Sequence, residues 1–339
     1  MKKYAFWNNK GGTGKTSLSF QCICRYAELN PEEEILVIDV CPQANLSELL
    51  LGGLVGKGSD HLLSRQAQTV RATLGGYFQS RLPTPYQKPT INGTDFLTKP
   101  HDFNESIPRN INLICGDPLL ELQSNAINTL STQQIPGTNT WVSIIDWIND
   151  LLASMNGRFT TLFVDCNPSF SIYTQIALAA VDKLILPVMA DDSSRRAIQN
   201  AFSLIYGLKL PSEIYATYAF ANKLRDAGRD LPKVHLIVKN RITQYMGPAS
   251  AYAAVFRSID SDIVQLLNTH GEIFTFQSVS NGMVDIKDFQ TTGVVAFAKG
   301  CPFSILPSGR ISVMGQRIRV NNPYRESCLS AIDILVGKL

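Results

Sequence analysis

The chain has 339 residues, of which 45% are hydrophobic and 17% are charged, and its formal net charge is +3. These values predict a folded globular protein with a sizeable core and exclude an intrinsically disordered chain. The sequence has no run of roughly 18 uncharged apolar residues, and polar residues interrupt its amino-terminal region, so neither a membrane span nor a secretory signal is expected.

Short apolar runs alternate with helix-like stretches, a pattern typical of a twisted, mostly parallel central sheet flanked by helices, which is an α/β fold. Strands are predicted at residues 4–7, 35–39, 111–115, 161–165, 183–189, 234–240 and 273–279. Helices are predicted at residues 16–29, 118–130, 141–155, 173–180, 194–206, 250–267 and 325–335.

Two stretches fall outside this alternation. Residues 51–110 are rich in Gly, Pro, Ser and Thr around a helix predicted at residues 61–74, and we interpret them as an insertion or lobe. Residues 211–232 carry several charged side chains and predict an exposed polar helical arm. The whole chain, residues 1–339, is otherwise predicted to be a single domain. The seven scattered cysteines form no CxxC pair or Cys/His cluster, which favours free thiols in a reducing cytoplasm.

A glycine-rich segment directly follows the first predicted strand and precedes a stretch with helical spacing. It consists of Lys10, Gly11, Gly12, Thr13, Gly14, Lys15, Thr16 and Ser17. Glycines let backbone N–H groups point at phosphate oxygens, and the helix amino terminus adds partial positive charge. In this position Lys15 is expected to neutralise the β and γ phosphates of a nucleotide, and the Thr16 hydroxyl to bind Mg²⁺. The segment therefore predicts a nucleotide-binding site.

The segment departs from the usual phosphate-loop pattern, because Asn9 stands where a glycine is usual and Lys10 precedes the glycine pair. It resembles the deviant Walker A box, Lys-Gly-Gly-x-Gly-Lys-Thr, of the ParA/MinD family of ATPases, which position plasmids, chromosomes, organelles and division machinery. In that family the extra lysine reaches the phosphates bound by a second subunit of a nucleotide-sandwich dimer. The resemblance implies a catalytic role of this kind for Lys10, beside Lys15.

Two later segments resemble the same family at the ends of predicted strands. Residues 38–47 are similar to the family segment Asp-x-Asp-Pro-Gln-x-Asn-x-Ser/Thr, and residues 163–169 to its Walker B segment, Asp-Cys-Pro-Pro-Ser. Carboxylates at the carboxyl ends of buried strands beside a phosphate loop suit Mg²⁺ binding. Asp39 and Asp165 are therefore predicted metal ligands, together with Thr16.

Weaker similarities continue towards the end of the chain. Residues 180–188 match an apolar family strand that ends in Pro-Val, and the pair Asn240 and Arg241 resembles the Asn-Arg that contacts adenine. The resemblance implies that ATP and Mg²⁺ are the ligands of this protein.

Cys41 stands where the family pattern has the aspartate that orients the attacking water. A thiol is mostly neutral at pH 7 and accepts hydrogen bonds poorly, so it does not position water as a carboxylate does. Three interpretations remain open. Asp39 takes over the role, hydrolysis is very slow, or a later carboxylate such as Asp191 or Asp192 substitutes.

The region near the carboxyl end holds the predicted partner surface. Its basic residues are Arg310, Arg317, Arg319 and Arg325. ParA-type proteins bind DNA non-specifically through basic residues in this region, and such phosphate contacts are sensitive to salt. The helix predicted at residues 325–335 lacks the cationic face with which MinD-type members bind membrane, so no membrane contact is expected.

These resemblances predict a cytoplasmic ParA-type ATPase that forms a homodimer with ATP, binds DNA and positions cargo through an adaptor that stimulates hydrolysis. If it binds DNA, the protein is expected at the nucleoid. Two alternatives belong to other classes. One is an enzyme similar to the P-loop amidating synthetases, which phosphorylate a carboxylate substrate, and the other is a nucleotide-binding module with little or no turnover, which Cys41 favours.

Overall fold

The computed structural model describes residues 1–242 and 251–339. For Asp192, Ala251 and Tyr252 it describes the backbone but not the side chain. Nine strands lie within these residues. They are β1 (Lys2–Phe6), β2 (Ile35–Val40), β3 (Ile111–Ile114), β4 (Thr161–Cys166), β5 (Lys183–Val188), β6 (Lys233–Ile242), β7 (Met283–Lys287), β8 (Gly309–Val313) and β9 (Gln316–Val320).

Fourteen α-helices are present in the same described ranges. They are α1 (Lys15–Leu29), α2 (Asn45–Leu50), α3 (Gly58–Gln66), α4 (Leu74–Arg81), α5 (Leu119–Ser131), α6 (Thr140–Ile145), α7 (Trp147–Ala153), α8 (Ile172–Leu178), α9 (Asp192–Tyr206), α10 (Phe220–Asp226), α11 (Ala251–Thr269), α12 (Val279–Gly282), α13 (Gln290–Ala298) and α14 (Asn322–Val336). Short 3₁₀ turns lie at Gly93–Phe96, Pro100–Asp102, Glu213–Tyr218 and Gly271–Ile273.

Seven strands form one sheet in the order β3-β2-β4-β1-β5-β6-β7, and all neighbouring strands are parallel. Alternate residues of β1 enter different cores, because Ala5 packs with one apolar cluster and Tyr4 and Phe6 pack with the other. Helices therefore cover both faces of the sheet, as parallel sheets require. The predicted α/β fold class is confirmed.

The first six predicted strands match β1 to β6 within a few residues, but the strand predicted at residues 273–279 is wrong. That stretch contains a 3₁₀ turn and the start of α12, and the seventh strand is Met283–Lys287 instead. The apolar residues of this stretch suggested a strand. In the structure Ile273, Phe274 and Phe276 are buried in the core without forming one. The exposed Asp285 and Lys287 made the true edge strand look like a loop.

Several helix predictions also change in the structure. The helix predicted at residues 141–155 is divided into α6 and α7 at Asp146. The helix predicted at residues 61–74 is α3, whereas Leu74 starts α4, with Thr73 as its N-cap. Sequence patterns missed α2, α13 and the antiparallel hairpin of β8 and β9, and residue 250 of the predicted helix 250–267 lies outside the described residues.

The stretch at residues 51–110 packs against the main sheet. Tyr77, Phe78 and Phe96 belong to the same buried cluster as Leu36 of β2. The arm at residues 211–232 has a buried side, where the ring of Phe220 lies 5.7 Å from that of Phe170, and an exposed side that carries Tyr215 and Tyr218. No helix among the described residues is long and apolar enough to cross a lipid bilayer.

We expect Gly300→Ala to destabilise the fold by about 3 kcal/mol or more. Gly300 has φ +55°, and a Cβ there would lie 2.4 Å from the carbonyl oxygen of Leu49 and 2.8 Å from the Gly53 nitrogen. Gly137→Ala is the matched control, since Gly137 has φ +75° but open space around it. It should cost only the left-handed strain of about 1 kcal/mol. Urea denaturation measures both, and equal losses would contradict the close backbone packing.

Candidate nucleotide-binding site

The glycine-rich segment forms a loop at the carboxyl end of β1, which lies between β4 and β5 in the middle of the sheet. Gly11 and Gly12 are exposed, and Gly14 caps α1 with φ +76°. A Cβ at Gly14 would lie 2.6 Å from Nδ2 of Asn240. The φ of Gly14 is also one that residues other than glycine avoid. The close approach of β6 to the loop therefore requires glycine at this position.

Two asparagines from different parts of the chain hold the loop. Asn8 donates its Nδ2 to the Pro187 carbonyl oxygen at 2.7 Å, and its Oδ1 accepts from the Lys10 backbone N–H at 3.0 Å. Asn240 is buried and donates its Nδ2 to the Thr13 carbonyl oxygen at 2.8 Å. Asn240 and the adjoining Arg241 thus lie at the loop, and their contact with adenine stays a prediction.

Lys15 begins α1 with its side chain only 7% exposed. Among residues 1–242 and 251–339, no hydrogen bond or ion pair joins its ammonium group to another side chain. Burial lowers the pKa of Lys15, and the nearby Asp165 opposes that shift. A largely buried cationic side chain without a direct ion pair is costly, and a bound phosphate would lower that cost. The site is therefore built for an anion.

Thr16 and Asp165 meet beside Lys15. Thr16 donates its hydroxyl to Oδ2 of Asp165 at 2.9 Å, while Oδ1 of Asp165 is buried without a hydrogen-bond partner in the described part of the chain. Burial, and next the charge of Asp39, raises the pKa of Asp165, and a divalent cation would favour its ionised form. These two residues fit Mg²⁺, which takes one or two protein oxygens and completes its shell with phosphate and water.

Further polar atoms of the loop have no partner in the described structure. Oδ1 of Asn9 and Oγ1 of Thr13 are both buried and make no hydrogen bond within residues 1–242 and 251–339. Thr16 and Ser17 also line an open cleft of about 640 Å³. A polar ligand bound at the loop would satisfy the two unpartnered atoms.

Asp39 is fully buried, and both of its carboxylate oxygens accept hydrogen bonds from groups of the same chain. Its Oδ1 accepts from the Cys41 backbone N–H at 3.1 Å, and its Oδ2 accepts from the backbone N–H and hydroxyl of Ser47 at 2.9 and 2.8 Å. These contacts shape the turn that leads into α2. They argue against the predicted roles of Asp39 as a Mg²⁺ ligand and as the group that orients water.

Cys41 is partly exposed at the end of β2. Burial, and next the charge of Asp39, raises the pKa of its thiol to about 12. The thiol is therefore neutral at pH 7 and does not supply the missing carboxylate.

Lys10 contacts residues of its own chain. Its ammonium group lies 2.5 and 2.6 Å from the two carboxylate oxygens of Asp191 and 3.2 Å from the Ser194 hydroxyl. Although partial burial opposes ionisation, hydrogen bonds from Lys10, Ser193 and Ser194 lower the pKa of Asp191 to about 2. Asp191 is thus engaged in an ion pair and in capping α9, while the side chain of Asp192 lies outside the described residues.

The structure places three of the four predicted DNA-contacting arginines on one face of the β8–β9 hairpin. Arg310 lies directly opposite Arg319, and Arg317 lies opposite Ser312. The three arginines are exposed. Arg325 does not belong with them, because its side chain is only 15% exposed and donates to the carbonyl oxygen of Phe303 at 3.1 Å. It holds the start of α14, so its predicted DNA contact is not supported.

Sequence reasoning missed the hairpin and the ion pair between Lys10 and Asp191. The hairpin has a local signal, since Ile311 and Val313 alternate with polar residues before the Met-Gly turn, and Ile318 and Val320 do so after it. The ion pair joins residues 181 positions apart, so no local pattern indicates it.

Comparisons with known proteins agree with this geometry. The family model described as an AAA domain matches residues 1–211. Apo McdA of Cyanothece has a similar structure, with 14% identity, a TM-score of 0.60 and coverage of 99% of this chain and 100% of that one. A putative plasmid partition protein of Borrelia burgdorferi bound to AMPPNP has 13% identity and a TM-score of 0.55, covering 100% and 99%.

A third similar structure is the MinC:MinD cell division complex of Aquifex aeolicus, with 15% identity, a TM-score of 0.53 and coverage of 99% and 96%. Among curated proteins, none matches the sequence significantly.

The parallel sheet, the glycine loop and the buried Lys15 define a P-loop nucleoside triphosphatase. The chain belongs to the AAA domain family, and its motifs and fold are those of the ParA/MinD group of deviant Walker A ATPases, whose ligands are ATP and Mg²⁺.

We expect Lys15→Met to abolish stabilisation by ADP without weakening the nucleotide-free protein. The substitution keeps the apolar stem and removes the charge of a largely buried side chain that makes no direct ion pair in the described structure. Thermal unfolding with and without Mg²⁺-ADP measures both effects. Lys99→Met, at an exposed lysine, is the control and should behave as wild type. A nucleotide-free variant that unfolds well below wild type would show that Lys15 has a structural partner instead.

Proposed function

We propose that this protein is a ParA-type switch that dimerises with ATP and positions or partitions a cargo. The observation that carries the proposal is the second lysine of the phosphate loop. Lys10 lies next to the loop glycines, yet in the single chain its ammonium contacts Asp191 and Ser194 rather than the cradle around Lys15. A lysine that does not serve its own phosphate cradle is suited to serve that of a second subunit.

The similar structures support the same function. One is a plasmid partition protein bound to AMPPNP, and another contains MinD together with MinC. By analogy, this chain forms a cytoplasmic homodimer whose hydrolysis is stimulated by an adaptor or cargo protein.

The arginine face of the β8–β9 hairpin is the proposed DNA-binding surface. Among the described residues, Arg310, Arg317 and Arg319 have no acidic partner. Arginines directly opposite each other destabilise a hairpin, so their persistence on one exposed face favours a polyanionic ligand. Contacts of this kind bind DNA without reading its sequence and place the protein at the nucleoid.

Lys10→Ala should remain monomeric under all nucleotide conditions, whereas the wild type should dimerise with ATP and with a non-hydrolysable analogue but not with ADP. The reason is that dimerisation brings two sets of phosphates together and needs the additional cations. Size-exclusion chromatography with light scattering measures the change, and Lys88→Ala is the control at an exposed lysine. The switch function fails if ATP never alters the oligomeric state of the wild type.

Replacing Arg310, Arg317 and Arg319 by Gln should weaken binding of the ATP form to DNA and reduce its salt dependence. Each lost phosphate contact lowers the slope of log K against log salt by about 1. The matched control changes Lys88, Lys99 and Arg109 to Gln, which removes the same charge from other exposed positions. Fluorescence anisotropy at several salt concentrations measures both variants. Equal weakening in the two would mean that net charge, and not the hairpin, binds DNA.

A further inference from the structure

Two departures from the family pattern lie at the ends of neighbouring strands. In the register of β2 and β4, Asp39 pairs with Asp165 and Val40 pairs with Cys166. The next residues are Cys41, in place of the family aspartate, and Asn167, in place of the first proline of Asp-Cys-Pro-Pro-Ser. Cys41 and Asn167 directly follow the last pair of this register, and paired strands lie about 4.8 Å apart.

The amide of Asn167 is held by hydroxyl groups on one side. Its Nδ2 donates to the Tyr173 hydroxyl at 2.7 Å and to the Ser169 hydroxyl at 3.0 Å. Asn167 is partly exposed, whereas Tyr173 is buried. The amide is therefore fixed within the loop that follows the Walker B strand.

The orientation of this amide follows from the position of one proton. Tyr173 donates its hydroxyl to Oε2 of Glu121 at 3.1 Å. A phenol has one proton to donate, so towards Asn167 it offers a lone pair, which only the amide nitrogen can use. The carbonyl oxygen Oδ1 of Asn167 is left as the acceptor, and no hydrogen bond to it is formed by the described residues.

We propose that Asn167 orients the attacking water in place of the carboxylate missing at Cys41, with Glu121 as a positioning residue that acts through Tyr173. Among the carboxylates whose side chains are described, Asp39 binds Ser47 and Asp191 binds Lys10. The inference rests on the assignment of the chain as an ATPase, but not on dimerisation or DNA binding.

The chemistry requires only a hydrogen-bond acceptor. The water oxygen forms a bond to the γ phosphorus while the bond from phosphorus to the β,γ-bridging oxygen breaks, and its electron pair stays on ADP. The water proton passes to the released phosphate. Asn167 accepts a hydrogen bond from the water and takes no proton, as the water-orienting glutamine of GTPases does.

The test measures single-turnover ATP hydrolysis, Mg²⁺-ADP affinity and, where an ATP dimer forms, its lifetime. Asn167→Ala should hydrolyse ATP at least tenfold more slowly, bind ADP within twofold of wild type and prolong the ATP dimer in proportion. Glu121→Gln should slow hydrolysis severalfold in the wild-type background and have no further effect in Asn167→Ala. Asn125→Ala, which removes an exposed amide on the same helix as Glu121, should leave all three quantities unchanged.

Cys41→Asp provides the rescue, because it restores a carboxylate at the adjacent strand end. It should return hydrolysis to the Asn167→Ala protein, which also shows that this variant is folded. The proposal is overturned if Asn167→Ala hydrolyses ATP at the wild-type rate, if its loss is matched by weaker ADP binding, or if the wild type hydrolyses no ATP. Hydrolysis that depends on Asn167 in a protein that stays monomeric would instead refute the switch function and leave this inference standing.

Discussion

The largely buried side chain of Lys15 is the constraint on which the rest of the site depends. A cation with so little exposure is costly, and among the described side chains the nearby charge of Asp165 opposes that cost without a direct ion pair. The carboxyl ends of parallel strands converge around it, so β4 brings Asp165 and β6 brings Asn240. Bracing of the loop by Asn8 keeps this cradle in shape before any ligand enters.

The sequence predicted the parallel sheet and the phosphate cradle because both depend on local patterns. A buried parallel strand is a short apolar run, and the glycine-rich loop with Lys15 is a contiguous motif. The error at residues 273–279 has a physical origin, since Phe274 and Phe276 are buried without joining the sheet. The sequence grouped Arg325 with the hairpin arginines because charge alone does not reveal that its guanidinium group donates to backbone carbonyl oxygens.

The end of β2 shows how one carboxylate of a family motif can be kept while the other is lost. Asp39 belongs to the same motif as the missing carboxylate, but its hydrogen bonds to Ser47 make it a part of the turn. The motif has two acidic positions of which one is lost in this chain, and the structure shows that the remaining carboxylate braces the turn. Asn167 directly follows the neighbouring strand β4, at a position where the family motif has proline.

The hairpin that carries the arginines is anchored in the core by Val313 and Val320, but it also has two unfavourable features. Its turn places Met314 at φ +48°, a conformation suited to glycine or asparagine, and Arg310 faces Arg319 across the strands. A ligand that binds these arginines only when the two strands are paired would stabilise the paired state of the hairpin. If the proposed polyanion binds here, local folding of β8 and β9 and its occupancy are coupled equilibria, and the order of the hairpin would report binding.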